Sequence, residues 1–348
     1  MKKILIVFGT RPEAIKLLPI IWQMRSKHIA YELLNTNQHA AILDKMLEEE
    51  KIIPEYRLSI CGKYQHLVEI KSAILHQMNE ILPINQFSHV IVQGDTLSAW
   101  TGAEYGFLHQ LPVYHVEAGM RTYHPENPYP EESFRRMITI MSAKHFCPSS
   151  DEQANLLKEG VPEENIYIVG NTFADYRKRF NANIEERRQI LITLHRRENL
   201  PYLDSIAKQI AVLAEENPEY TWLFPVHPNP VITDTITKHL HQLKNIKLCT
   251  PLSPDEFYRE LLASELIISD SGGVQEECIF NAKKILIIRE VSERRTNFEF
   301  TEIIPPTENF KDKFYLLLNR RTKREIINYY GTGNAAEQIV KIILKEGF

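Results

Sequence analysis

Ile267-Ile-Ser-Asp-Ser-Gly-Gly-Val-Gln-Glu-Glu-Cys278 reads as an apolar strand that ends in Ser271-Gly272-Gly273 and turns directly into a helix. Two adjacent glycines at a helix start let the backbone come close to a bound group. The unpaired N–H groups of the first turn and the positive end of the helix dipole then suit a phosphate. Glu277 follows about one helical turn later, where its carboxylate can accept from a ribose hydroxyl. An ordinary strand-to-helix turn with a packing glycine looks the same in isolation, so the rest of the chain decides.

Working outward, short apolar runs alternate with helix-length amphipathic segments along the whole chain. This is the pattern of parallel sheets with crossover helices. The first series has strand candidates at Ile4–Phe8, Tyr31–Asn35, Tyr56–Ile60, Val90–Gln93, Val113–Val116, His145–Pro148 and Ile166–Val169. Helical patterns at Glu13–Ser26, Gln65–Ile81, Leu97–Gln110 and Asp151–Glu159 lie between them. A second series runs through Ile190–Leu194, Trp222–Val226, Ile246–Cys249, Leu266–Ser269 and Ile285–Ile288, with helices near Tyr202–Ala214, Asp255–Leu262 and Val274–Phe280. The polar, charged stretch Asp175–Gln189 separates the series and reads as the interdomain connection. The expectation is therefore an α/β protein of two Rossmann-like, doubly wound parallel-sheet domains facing a central cleft. Gly9, Gly94, Gly119, Gly170, Gly272 and Gly273 all follow expected strands, where open α/β sheets bind their ligands.

Bulk composition narrows the function. At 348 residues the chain fits two domains of ordinary size. A hydrophobic content of 43% and a charged content of 25% describe a soluble globular protein. A formal net charge of -4 leaves no excess cation to displace condensed counterions, which argues against nucleic acid as a partner. Cys61, Cys147, Cys249 and Cys278 are dispersed without a CxxC pair, as expected of a reduced, cytoplasmic protein with neither disulfides nor a zinc site. The start, Met1-Lys-Lys-Ile-Leu-Ile-Val-Phe8, has a very short apolar run that Arg11 and Glu13 interrupt, so it reads as a first strand and not a signal peptide. No apolar run is long enough for a bilayer.

Several strand ends carry reactive side chains. Gly9-Thr-Arg-Pro-Glu-Ala-Ile-Lys16 puts the cations Arg11 and Lys16 near a helix start, where anions already bind well. Val90-Ile-Val-Gln-Gly-Asp95 and Val113-Tyr-His-Val-Glu117 each end a buried strand with an acid. Tyr129-Pro-Glu131-Glu132-Ser-Phe-Arg135 places an acid pair at a helix start. Any one of these acids could be a helix cap. Three on one sheet edge can instead hold different pKa values and divide the work of acid and base. In the second series, Thr193-Leu-His195-Arg196-Arg197 sets cationic donors at a strand end, suited to a diphosphate. His227, between prolines in Val226-His-Pro-Asn-Pro230, fits a structural loop histidine equally well. His195 and His227 lack a third ligand at zinc-like spacing, so no metal site is expected.

Together these segments resemble the non-hydrolysing UDP-N-acetylglucosamine 2-epimerases. The resemblance runs from GTRPEAIK through QGDT, HVEAGMRT, YPEESFRR, VGNT, TLHRREN, VHPNP and SDSGGVQEE to YGTGNAAEQI, in order over nearly the whole chain. It implies a GT-B-like fold, a homodimer and a UDP-sugar substrate, with no cofactor. The implied domains are 1–174, with the acid/base residues, and 175–333, which binds UDP. The C-terminal segment 334–348, with a helix at about Ala335–Lys345, is implied to return to the first domain. The implied chemistry is anti elimination of UDP to a 2-acetamidoglucal, then re-addition with protonation on the other face of C2. Carried over by position, Asp95, Glu117 and Glu131 are the acid/base set. His195, helped by Arg11 and Lys16, steadies the leaving group. Ser271, Gly272 and Gly273 hold the phosphates, Glu277 the ribose, and Arg135 sits beside Glu131. Arg294, the arginine of the family's TERPE segment, belongs with the substrate-binding residues.

The chain departs from the family at four places. PEE-x-NR becomes Pro130-Glu-Glu-Ser-Phe134-Arg135, TERPE becomes Ser292-Glu-Arg-Arg295-Thr296, GDTTT becomes Gly94-Asp-Thr-Leu97-Ser98, and QHRE becomes Gln38-His39-Ala40-Ala41. The last falls where many bacterial members bind a second, activating UDP-sugar. None removes an acid. Three other readings share parts of the pattern. A hydrolysing relative would release UDP and a free sugar, but its first loop departs from RPEAIK. A retaining GT-B glycosyltransferase would use the Ser-Gly-Gly and glutamate arrangement, yet has little use for three grouped acids. A catalytically dead UDP-sugar sensor would not keep Asp95, Glu117, Glu131 and His195 together.

Overall fold

The structure, a computed structural model, describes residues 2–38, 40–179, 184–321 and 328–345. Its backbone contacts divide into two compact units, Met1–Phe180 with Asn328–Phe348, and Asn181–Ile327.

In the first unit seven strands pair in parallel: β1 (Lys3–Phe8), β2 (Tyr31–Asn35), β3 (Tyr56–Arg57), β4 (Phe87–Gln93), β5 (Val113–Val116), β6 (Lys144–Cys147) and β7 (Ile166–Ile168). Their order across the sheet is β3-β2-β1-β4-β5-β6-β7. Helices α1 (Arg11–Ser26), α2 (Ala40–Glu49), α3 (Leu67–Ile81), α4 (Leu97–Leu108), α5 (Glu131–Met141), α6 (Ser150–Lys158) and α7 (Thr172–Arg177) alternate with them. Helices on both faces bury both sides of β1, and Ile4, Leu5, Ile6, Val7 and Phe8 are all buried. Leu5 and Val7 join Leu34, Val90 and Val92 in one core cluster. The C-terminal helix Ala335–Lys345 packs on α1 and α7. Asp175 accepts from its first-turn N–H groups, Ala335 at 3.1 Å and Ala336 at 3.2 Å.

The second unit repeats the plan with β8 (Arg187–Thr193), β9 (Thr221–Pro225), β10 (Ile246–Cys249), β11 (Ser264–Ser269), β12 (Lys284–Ile288) and β13 (Thr301–Ile304). The order is β10-β9-β8-β11-β12-β13, parallel throughout. Its helices are α8 (Leu203–Glu216), α9 (Pro230–Leu240), α10 (Pro254–Ala263), α11 (Gly272–Phe280) and α12 (Lys311–Asn319). Trp222 stacks on Phe314 at 5.5 Å between ring centroids, inside a core that includes Ile190, Ile206 and Ile268. Numbered from its own first strand, each unit therefore runs 3-2-1-4-5-6, and the first unit adds a seventh strand. The strand order reverses between β1 and β4 in one unit and between β8 and β11 in the other. Ligands of doubly wound sheets bind at such a reversal, beyond the carboxyl ends of the strands.

Some elements differ from the sequence expectation. The third strand ends at Arg57 and not Ile60 because its edge pairing runs out. Leu58 N–H still reaches Asn35 O at 2.9 Å, but Ser59 N–H turns to the Gln77 side chain at 2.8 Å. Helix α9 hides in a β-branched run, Val231-Ile-Thr-Asp-Thr-Ile-Thr237, that reads as strand by propensity. Asn229 nucleates it by accepting from Val231 N–H at 3.0 Å, with Pro230 at the first helical position. Helices α2 and α12 and the edge strand β13 also lie outside the expected set. The expected connection Asp175–Gln189 overlaps the end of α7 and the start of β8, and its residues 180–183 fall outside the described residues. So does His39 of the Gln38-His39-Ala40-Ala41 segment.

Candidate active site

In the first unit the site grows from the carboxyl ends of β1, β4 and β5. After β1 the chain turns into α1, and buried Glu13 gathers that turn around itself. Its carboxylate accepts from Gly9 N–H at 3.1 Å, Thr10 N–H at 2.8 Å, Thr10 Oγ1 at 2.8 Å and Thr96 Oγ1 at 2.7 Å. Thr96 lies just after β4, so Glu13 ties together the loops on both sides of the strand reversal. Burial pushes its pKa up to about 7 against the opposing pull of those donors. Arg11 is the first residue of α1 and is half-buried; Lys16 is buried one turn further on.

Asp95 follows β4 through Gly94, whose φ of 71° is open to glycine and strained for other residues. The buried ring of His115 fixes this turn. Its Nε2 lies 2.8 Å from Gly94 O, which can only accept, so the proton is on Nε2. Burial lowers the His115 pKa to about 3, which keeps the ring neutral and structural. Asp95 accepts from Arg135 Nε at 3.0 Å and pairs with Nη2 as well, while Arg135 Nη1 donates to Glu132 at 3.0 Å. Glu132 is fully buried and accepts from Thr122 N–H at 3.0 Å and Tyr123 N–H at 3.1 Å. Arg135 thus bridges Asp95, just after β4, to the first turn of α5. Glu131, the first residue of that helix, is half-buried beside it in sequence.

Glu117 ends β5 with φ at 66°, the left-handed region that costs a non-glycine residue roughly 1–2 kcal/mol. It is paired with Lys16 and accepts from Gln93 Nε2 at 2.7 Å. The structure therefore brings together Lys16 of α1 with Glu117, just after β5, and Arg135 of α5 with Asp95, just after the neighbouring strand β4. Glu132, which holds Arg135 from behind, was not anticipated as more than half of an acid pair.

In the second unit the corresponding positions follow β8 and β11. His195 comes after β8, and Asp270 ends β11 fully buried beside it. The Asp270 carboxylate accepts from His195 N–H at 3.1 Å, Arg196 N–H at 3.0 Å and Asn199 Nδ2 at 3.1 Å. His195 Nδ1 stands 3.3 Å from Asp270 Oδ1. The His195 ring also stacks on His227, with centroids 6.2 Å apart. Asp270 escaped the sequence reading although it lies inside the decisive stretch; an acid ending an apolar strand was the available signal.

Ser271 is the N-cap residue of α11, and Gly272 and Gly273 open the helix. A Cβ on Gly272 would collide with the Arg294 guanidinium, so this glycine makes room for a cation over the helix N-terminus. Arg294 is clamped there by Glu276, at 2.6 Å from its Nε, and by an ion pair with Glu293. Glu293 also accepts from Arg289 at 2.8 Å. Burial holds Arg289 below its ordinary pKa, against the upward pull of Glu293. Glu277 lies on the second turn of α11, half-buried. The acids Glu276 and Glu293 were not anticipated: Glu276 meets Arg294 from 18 residues away, and Glu293, its neighbour in sequence, gains its role only when folding sets that arginine over α11.

This geometry can now be set beside known proteins. The family model described as UDP-N-acetylglucosamine 2-epimerase matches residues 23–344. The chain belongs to that family. It is 35% identical to the UDP-N-acetylglucosamine 2-epimerase of Campylobacter jejuni, over 99% of this chain and 98% of that protein. It is 33% identical to the enzyme of the same name from Neisseria meningitidis, over 99% of each. Among solved structures, the N. meningitidis UDP-GlcNAc 2-epimerase bound to UDP-GlcNAc is similar, with a TM-score of 0.87, 32% identity, and coverage of 99% of this chain and 100% of that one. The Methanocaldococcus jannaschii UDP-GlcNAc 2-epimerase in complex with UDP-GlcNAc and UDP is similar at a TM-score of 0.89 and 31% identity, over 99% and 100%. The family's GT-B-like fold is thus the fold of this chain, as two parallel α/β domains of seven and six strands.

For this epimerase-family member, the described residues contain no group of three or more His, Cys, Asp or Glu side chains placed to hold a metal ion. No described helix is long and apolar enough to cross a membrane. One cavity of about 460 Å³ lies at the amino ends of β6 and β7, lined by Arg136, Ile140, His145 and Asn165 among others. It includes none of the residues assigned to chemistry and sits at the wrong end of the strands for a doubly wound sheet.

Proposed function

We propose that this family member interconverts UDP-N-acetylglucosamine and UDP-N-acetylmannosamine, or a close UDP-2-acetamido sugar pair, without hydrolysis. A carboxylate takes the C2 proton, the C–H electrons form the C1=C2 bond, and the C1–O bond breaks with its electrons leaving on UDP. The 2-acetamidoglucal then accepts UDP back at C1 while an acid protonates C2 on the opposite face. Asp95, Glu117 and Glu131 supply this acid/base work. Arg135 and Lys16 keep two of the carboxylates oriented, and Arg11 and Lys16 add positive charge for the departing diphosphate. His195 steadies the same leaving group. Ser271, Gly272, Gly273 and Arg294 hold the diphosphate and Glu277 the ribose. No net oxidation occurs and UDP is already a good leaving group, so the route needs neither nicotinamide nor metal.

The observation that carries this reading is the pair of carboxylates on adjacent strands, Asp95 and Glu117, each fixed by a buried cation at the strand reversal. A helix cap would need no such cation. We further propose a cytoplasmic homodimer that supplies precursors of surface polysaccharide. The test is product analysis by NMR after incubation with UDP-GlcNAc. Two intact UDP-sugars at equilibrium support the proposal. Free N-acetylmannosamine with UDP would replace it with the hydrolysing reaction, transfer only to an added acceptor would indicate a glycosyltransferase, and no turnover would leave a UDP-sugar sensor.

A further inference from the structure

We infer that Asp270 is a positioning residue for the reaction: it keeps a proton on Nδ1 of His195, so that the opposite ring nitrogen, Nε2, can donate to the departing diphosphate. The inference rests on the leaving-group role proposed for His195.

Asp270 both fixes the turn after β8 and stands against the His195 ring. It is fully buried at the carboxyl end of β11, immediately before the diphosphate loop. Three N–H donors hold its carboxylate rigidly, from His195, Arg196 and Asn199, and Asn199 is itself anchored by donating to Ile288 O at 3.0 Å. The Oδ1 atom faces His195 Nδ1 at 3.3 Å, an ion-pair distance of the kind that tightens when a ligand arrives. The His227 stack restricts the ring from one face, while the His195 side chain stays 40% exposed. Nε2 has no partner among the described residues. A histidine donating from one nitrogen to a buried carboxylate has its orientation and tautomer set by it. With a diphosphate on the other edge, the ring lies between two anions, and donating to both takes a proton on each nitrogen. Negative charge that develops as the C1–O bond breaks then meets a donor already aimed at it.

Substitution by asparagine would reverse this arrangement. Asp270 Oδ2 faces the Arg196 and Asn199 donors as well as His195 N–H, so an amide oxygen occupies that place. The amide N–H then points at Nδ1 and drives the neutral ring to the Nε2-protonated tautomer, which no longer stands between two anions.

The test is nitrogen-15 NMR of histidine-labelled protein with UDP bound, His195 being assigned by comparison with His195→Ala. The wild-type complex should show a proton on Nδ1, and Asp270→Asn should lose it. C2 exchange should fall on the order of 100-fold in Asp270→Asn. The double variant with His195→Ala should be no slower than His195→Ala alone, because Asp270 acts through that ring. A wild-type ring bare at Nδ1 overturns the inference without any variant having to fold, as do losses that multiply in the double variant. Wild-type exchange in His195→Ala would instead remove the leaving-group role itself, and with it any part for Asp270.

Discussion

The two units share a strand order and use it with opposite electrical sense. At the strand reversal of the first unit a carboxylate leads, with Asp95 more exposed and Arg135 buried behind it, while Glu117 and Lys16 form an equally buried pair beside them. At the reversal of the second, cations and N–H groups lead and carboxylates stand behind: Asp270 behind His195, Glu276 and Glu293 behind Arg294. A doubly wound sheet decides where a ligand binds. Which charge is pushed forward from the buried pairs decides what the site does with it. In the proposed division, the acid-forward unit moves protons and the cation-forward unit holds the nucleotide.

The largest expected effect tests that division from the first side. Asp95→Asn and Glu117→Gln should each cut C2 exchange by roughly 10³-fold while UDP affinity, measured by calorimetry, stays within about threefold. Equal losses of binding and exchange would erase the contrast between the units.

Next in size is a pH dependence that comes from Glu13 in the first unit. Glu13 titrates near 7 in the folded protein against an ordinary value of 4.5. The native state therefore holds this proton more tightly than the unfolded chain. Its contribution is fully present below about pH 4.5 and is lost as pH rises through 7. A gap of about two and a half pH units sets the loss on the order of 3 kcal/mol. Asp175, raised to about 6 by burial, acts in the same direction. Denaturant melts of wild type and Glu13→Gln between pH 4.5 and 8 should differ in slope; parallel curves would contradict the assignment.

Two smaller effects sharpen the second unit. Gly272→Ala should displace Arg294 from the start of α11 and weaken UDP binding by about 1–2 kcal/mol, with exchange at saturating substrate much less affected. Unchanged affinity would mean that Arg294 does not face the diphosphate. Glu277→Gln keeps an acceptor but loses its charge, and should weaken UDP by about 1 kcal/mol. UDP titrations that superimpose on wild type would remove Glu277 from the ribose.

Much of this was legible in the sequence because strand ends, glycine turns and acids are local signals. Asp95 and Glu117 each stand directly after a buried apolar run. What stayed hidden was which acid pairs with which cation. Arg135 joins Asp95, 40 residues away, to Glu132, three residues away, and Glu276 reaches Arg294 across 18. Asp270 carried no reading of its own until folding set it against a histidine 75 residues away. Helix α9 was hidden for a local reason, since its β-branched residues contradict their own structure until Asn229 and Pro230 start the helix.

The most direct test of the central claim is the fate of the C2 hydrogen in deuterated water. The account predicts that UDP-GlcNAc returns as an epimeric pair of intact UDP-sugars with deuterium at C2, and that Asp95→Asn and Glu117→Gln bind UDP but leave C2 protiated. Epimerised product that retains its original hydrogen, or full deuterium exchange in both variants, would contradict it.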